Sequence, residues 1–463
     1  MSRAAYYRAW QRRRSPELGG FRGSPANGLH SFLEQMERRL CLATDFANAV
    51  NYSVGAMIDF VDHADFNGDG HRDVVVSSYA SSRLSILLGN GDGSFQNPSN
   101  MALLAAPDHV VVGDVNGDSR ADLITTSYDT NTVGILLGNG DGTFQAVTNY
   151  SAGAGPRMVA LGDFTGDGKL DIVVAKSFTK AITLLKNNGD GTFQSPVNAT
   201  VSFTPVDIFA GDFNGDGKLD IVAADFFTDR VAVALGNGNG TFATASLYST
   251  GAGPASITAG DFNGDGNLDV ATANFYGNTV SVLRGNGNGT LQTATSLTAG
   301  SGATYVTAAD LDGNGSMDLV SANANADRVS LFFNSGSGSF ASAANYLVGD
   351  SPRSLAVANF NGGGLDIVVA NQGGSTISVL LGSGSAFPPT AFAGDSYTVR
   401  EGGTVQLSGL ASTGSDLTFA WDLDGDDIYG EYGTAAKRGD EIGPTPVFSG
   451  VGIDGPDTRT VRL

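Results

Sequence analysis

Nine residues, Asp212-Phe-Asn214-Gly-Asp216-Gly-Lys218-Leu-Asp220, recur along the chain at a fixed interval, and that interval limits the folds open to it. The pattern starts at Asp65, Asp114, Asp163, Asp212, Asp261 and Asp310, each 49 residues after the last, and returns in damaged form at Asn359. A period of roughly 40 to 50 residues carrying several short β-rich runs marks a β-propeller with one blade per repeat. Seven starts predict an all-β, seven-bladed β-propeller.

One repeat read closely supplies four strands. Val110 to Asp114 leads into the nine-residue loop, Asp122 to Tyr128 returns from it, Thr132 to Gly138 is third, and Thr143 to Tyr150 is fourth. These runs are rich in β-branched and aliphatic residues. Between the third and fourth lies a second glycine-rich turn, Gly138-Asn-Gly-Asp-Gly-Thr-Phe144, whose Gly and Asn residues accept positive φ. Asparagine or serine replaces its aspartate in other repeats, which favours a turn over a second metal site. The Phe that ends it reads as an anchor between blades. Phe46 already stands in this phase, 49 residues before Phe95, so part of a blade precedes the first loop, and residues 46–54 are expected to supply the last blade's fourth strand. That would close the ring and remove open sheet edges. In the last repeat the equivalent Phe is read as Phe387, arriving early.

Oxygen side chains at positions 1, 3, 5 and 9, with glycine at 6 and a main-chain carbonyl at 7, form a set suited to a hard cation such as calcium. The expected ligand residues are Asp65, Asn67, Asp69, His71 and Asp73 in the first loop, and Asp114, Asn116, Asp118, Arg120 and Asp122 in the second. The third has Asp163, Thr165, Asp167, Lys169 and Asp171, and the fourth Asp212, Asn214, Asp216, Lys218 and Asp220. Asp261, Asn263, Asp265, Asn267 and Asp269 form the fifth, and Asp310, Asp312, Asn314, Ser316 and Asp318 the sixth. At position 7 only the carbonyl would serve. Up to six Ca2+ ions are therefore expected. The competing reading is a set of Asx-rich turns without metal. Blade four carries Ala223 where an EF-hand needs its position-12 glutamate, which excludes that motif.

The formal net charge is −21, and without the 18 aspartates of the six intact loops it would be −3. Acidity concentrated this way argues against a nucleic-acid partner. The single cysteine, Cys41, allows no intramolecular disulfide, and no apolar run is long enough for a spanning helix. The four histidines, His30, His63, His71 and His109, share no repeat position and suggest no catalytic pair, so the expectation is a non-enzyme. Tyr79, Tyr128, Phe178, Phe226 and Tyr276 follow the second strands and could ring one face, either for a ligand or to pack blades together.

The recurring Asp-Phe-Asn-Gly-Asp-Gly-x-x-Asp, with Gly153-Ala-Gly-Pro156 and Gly251-Ala-Gly-Pro254 ahead of it, resembles the FG-GAP/VCBS repeat family over residues 46–387. That resemblance implies a calcium-bearing propeller, like those of integrin α chains and seven-bladed lectins, used in adhesion or in recognising a glycan or surface protein. A monomeric propeller, secreted or at the cell surface, follows from it. Departures are Ser119 for the turn glycine, Thr165 for Asn, Ser316 after Asn314, and the damaged seventh loop. Some calcium propellers are polysaccharide lyases, and a purely structural surface role also stays open.

The flanks differ from the repeats. Residues 1–40 read as a basic leader or export segment, Phe32 to Leu42 resembling leaders on bacterial surface proteins, with a disordered basic tail as the competing reading. The propeller is expected over 41–387. Residues 388–463, from Pro389-Thr-Ala-Phe-Ala-Gly394 through Trp421-Asp-Leu-Asp-Gly-Asp426, resemble a PKD-type immunoglobulin-like β-sandwich, cut short at Leu463.

Overall fold

The computed structural model describes residues 46–55 and 57–382, together with the strands Thr404–Gln406 and Val447–Ser449. Residues 46–382 form seven four-stranded antiparallel sheets, the blades of a propeller. Blade two shows the plan: His109–Gly113 innermost, then Asp122–Ser127, Thr132–Leu136 and Thr148–Ser151 outermost. Burial follows from stacking blade on blade. Every second strand is buried throughout, whereas the outermost strand of blade two runs exposed, exposed, intermediate, exposed. A strand covered on both faces needs a continuous apolar run, as in Ile172-Val-Val-Ala175 of blade three.

The outermost strand starts later than the sequence suggests, at Thr148 rather than Thr143. Phe144 makes an isolated bridge to Gly138 and turns its ring onto Phe66 of the preceding blade, with centroids 5.5 Å apart. Equivalent edge-to-face pairs join Phe164 to Phe242 and Phe262 to Phe340. The repeating Phe, partly buried at Phe144, Phe242 and Phe340, is thus an anchor between blades.

The ring closes as the sequence suggested. Val50–Ser53 pairs with Thr376–Leu380 as the fourth strand of blade seven, in the register Val50↔Val379 through Ser53↔Thr376. Phe46 bridges Gly382 just as Phe95 bridges Gly89, so Phe46, not Phe387, holds the anchor position of the last blade. Phe46 is buried and packs edge-on against Tyr346. The run before the first loop therefore completes the last blade.

Innermost strands expose one backbone edge to the axis, and side chains of the neighbouring blade satisfy it. Val112 N–H donates to Asp62 Oδ2 at 2.8 Å, Ile257 N–H to Asp207 Oδ2 at 3.0 Å, and Val61 N–H to Ser354 Oγ at 3.1 Å. Around the axis these strands enclose a cavity of about 380 Å3, to which all seven blades contribute. No helix among the described residues is long and apolar enough to cross a membrane.

A second unit includes residues 384–463, within which Thr404–Gln406 and Val447–Ser449 pair antiparallel. The remainder of the expected PKD-like sandwich and the basic leader lie outside the described residues.

Removing residues 46–54 would leave Thr376–Leu380 as an open edge. Such a chain should melt at a lower temperature than the parent and self-associate in light scattering; unchanged melting and mass would contradict closure by this strand.

Candidate functional site

Each nine-residue loop links the innermost strand of a blade to the second, so the loops ring one face. In the first loop the position-1 carboxylate folds the chain around itself. Asp65 Oδ1 accepts the N–H of Gly68 at 2.7 Å and Oδ2 that of Gly70 at 2.9 Å. Asn67 Oδ1 and Asp69 Oδ1 then accept the N–H groups of Asp69 and His71 at 3.0 and 2.8 Å. The same bonds recur around Asp114, Asp163, Asp212 and Asp261. Asx side chains at positions 1, 3 and 5 thus make the turn themselves.

The position-9 aspartate has a different task. Asp73 is fully buried and accepts the N–H of Phe66 at 2.8 Å and that of Gly89 at 2.7 Å, tying the loop to the end of the third strand. Asp122, Asp220, Asp269 and Asp318 repeat both bonds. Burial pushes the Asp73, Asp122, Asp220 and Asp269 carboxyls above the usual range, and that of Asp318 to about 7. In the damaged seventh loop Asp366 keeps both bonds, to Phe360 and Gly382, although it arrives one residue early. Loss of position-1 and position-5 carboxylates there leaves the fold intact.

Blade three is the exception. Phe164 N–H turns instead to the Gly162 carbonyl, and the buried Asp171 Oδ2 and Thr165 Oγ1 have no hydrogen-bond partner. Ligand oxygens of Asp163, Asp167 and Asp171 lie within 4.8 Å of one another, as do those of Asp310, Asp312 and Asp318 in blade six. Blade six therefore exchanges roles, with the acid at position 3 and Asn314 at position 5. An oxygen-only cluster with an unsatisfied buried carboxylate oxygen fits a hard cation such as calcium.

Position-7 side chains lie toward the second turn. His71, Arg120, Lys169, Lys218 and Asn267 lie over Gly91, Gly140, Gly189, Gly238 and Gly287 of the second turn, too close to admit a Cβ there without displacement. Arg120, Lys169 and Lys218 also reach the position-5 carboxylates at 3.8, 3.5 and 3.4 Å, exposed pairs worth little. The second turn needs no metal. Asp141 Oδ1 accepts Thr143 N–H at 2.9 Å, and Asn239 Oδ1 does the same for Thr241 at 3.0 Å, so acid and amide are interchangeable.

The aromatic positions fall on the opposite face, after the second strands. Tyr128 meets Phe178 at 6.2 Å, Phe178 meets Phe227 at 5.8 Å, and Phe226 meets Tyr276 at 5.3 Å, so rings pack from blade two to blade five. Phe227 and Phe275, which the sequence reading passed over, continue this arc. Phe227 and Tyr276 are about half exposed, at 50% and 51%. Tyr79 donates its hydroxyl to Asp129.

The axial cavity gathers residues that sequence separated. Asp62, His63, His109, Asp207 and Tyr305 line it together, so two of the four histidines face one cavity, while His71 stays exposed on its loop. Burial raises Asp62 and Asp207 to about 6 and lowers His109 to about 3. Nothing in the 49-residue period signals this grouping.

The sequence matches the FG-GAP-like repeat family over 65–125, 114–174, 163–223, 212–272, 261–321 and 310–365, each window spanning two loops. Those windows cover more than half of the chain, which belongs to that family. No curated protein matches it. Among solved structures it is similar to BBS1N in complex with ARL6DN, with TM-score 0.53 and 14% identity over 73% of this chain and 97% of that one. Virginiamycin B lyase from Staphylococcus aureus gives TM-score 0.51 and 12% identity over 72% and 99% of the two chains. A lectin from Agrocybe aegerita that recognises non-reducing terminal N-acetylglucosamine gives 0.46 and 22% over 65% and 90%. The two likenesses above 0.5 show a shared fold alone.

Ser119 holds φ +65°, where the equivalent glycines Gly70, Gly168 and Gly217 hold +84°, +79° and +77°. Ser119→Gly should raise stability by ~1 kcal/mol in urea denaturation. An unchanged or lower midpoint would show that the loop carries no such strain.

Proposed function

We propose that this chain is a calcium-stabilised recognition module of the cell exterior that binds a glycan or a surface protein and catalyses no reaction. The cluster of Asp163, Asp167 and Asp171, with its unpartnered buried oxygen, is the observation that supports it most. Side-chain oxygens at positions 1, 3, 5 and 9 and the carbonyl at 7 would hold one ion in each of six loops, Asp65 through Asp318. Calcium would neutralise carboxylates that otherwise repel one another and would fix the loop that positions each innermost strand. The exposed pairs of Arg120, Lys169 and Lys218 give way at little cost. Extracellular calcium suits such loops, because modules there work at Kd ~10⁻⁴–10⁻³ M. Recognition belongs to the aromatic arc on the opposite face, where the half-exposed rings of Phe227 and Tyr276 offer flat apolar area to a sugar ring or a protein side chain.

At a concentration 100 times Kd each independent site adds ~2.7 kcal/mol to stability. Thermal unfolding in millimolar calcium should therefore run well above that in excess chelator. Titration calorimetry should give close to six ions per chain, and one fewer for Asp163→Ala. Glycan-array binding by the holo protein should fall with Phe227→Ala. No calcium shift and no heat would leave the aspartates as turn formers and remove the basis of this reading.

A further inference from the structure

We propose that the axial channel is a binding site for a small organic cation carrying a primary ammonium group, held against Asp62 beside the packed rings of Phe60 and Tyr305. The argument begins with what a repeat array would put there. At the position of Asp62 the other blades carry Val111, Ala160, Phe209, Thr258, Thr307 and Ala356, so a carboxylate at this place is peculiar to blade one. Bringing it into the wall opposes its ionisation, and the two N–H groups it accepts, from His63 and Val112, offset only part of that cost. Asp207 from blade four faces the same cavity, and the charges of both carboxylates act on the Tyr305 hydroxyl.

The other walls fit a donor-bearing cation. Phe60 packs edge-on to His109 at 4.3 Å and to Tyr305 at 5.4 Å, which gathers three rings beside Asp62. His109 is 7% exposed, lines the cavity and has no hydrogen-bond partner at Nδ1, while burial keeps it neutral. A carboxylate and aromatic rings are suited to accept ammonium N–H groups and to stabilise their charge. The cavity, about 380 Å3, lies in the range of small-molecule pockets, ~300–1,000 Å3. Six loops ring one end of the channel, and with a divalent ion in each they keep a formal charge of about −2 in all, since Arg72, Arg120, Lys169 and Lys218 offset four of the remaining charges, so the entrance favours cations only slightly.

This inference does not depend on the recognition reading, since the channel and the aromatic arc are separate surfaces. The test is titration calorimetry of the full chain with 1,4-diaminobutane in saturating calcium, which removes competition for the loops. The expected result is one diamine per chain. Tetramethylammonium, which has charge but no N–H, and methyl glucoside, which has hydroxyls but no charge, should each bind at least tenfold more weakly. Asp62→Asn, which keeps an acceptor for the Val112 N–H, should weaken diamine binding at least tenfold with little change in melting temperature. No heat with the diamine, a stoichiometry near six, equal binding of methyl glucoside, or undiminished binding by a folded Asp62→Asn chain would each overturn the proposal. The comparison of ligands uses the unaltered protein and decides the matter even if the variant does not fold.

Discussion

A buried carboxylate that accepts two backbone N–H groups is the interaction on which the propeller rests. In blade one, Asp73 joins the amide of Phe66, just inside the loop, to that of Gly89, beyond the third strand. Three strands of a blade are thereby tied together at one end by a single side chain. Breaking such a buried charged bond costs ~1.5–3 kcal/mol or more, and the loop, the anchor Phe at position 2 and the second turn all take their places from it. The second turn in its turn reaches the preceding blade, where Gly142 N–H donates to the Phe66 carbonyl and Gly240 N–H to that of Phe164. Blade geometry and the contact between blades are therefore set by the same few groups.

This explains what the seventh loop can lose. Asp366 survives, with both of its bonds, whereas the carboxylates at positions 1 and 5 are replaced by Asn359 and Gly363. The duty of holding the blade is separable from the rest of the loop: position 9 ties the strands, and positions 1 and 5 add charge that a turn alone does not need. Asn359 Oδ1 still accepts the Gly362 N–H at 2.7 Å, so an amide suffices for the turn. Five loops keep carboxylates at both positions, where an amide would serve the turn, and the sixth carries its second acid at position 3, which adds to the case for the proposed ions.

Much of this was legible in the sequence because it is periodic. The spacing of the Asp65 to Asp310 loops gives the blade count, and the phase of Phe46 places the closing strand before any contact is known. What the period hides is whatever crosses it. Phe46 fills the anchor position of blade seven, which a reading along the chain assigned to Phe387, because closure joins residues more than 300 apart. The start of the outer strand at Thr148 depends on Phe144 turning to the neighbouring blade. His63 and His109 share no repeat position, yet both innermost strands face one axis, so they line the channel with Asp62 and Tyr305. Singular residues at axial positions carry no periodic signal, and only the closed ring brings them together.

The most direct test of the central claim is a crystal structure grown in millimolar calcium. The account predicts one ion in each of the six loops, 2.3–2.6 Å from its oxygen ligands, with Asp171 Oδ2 among them and the loop after Asn359 empty. Loops that stay free of metal at that concentration, with Lys169 still paired to Asp167, would contradict it.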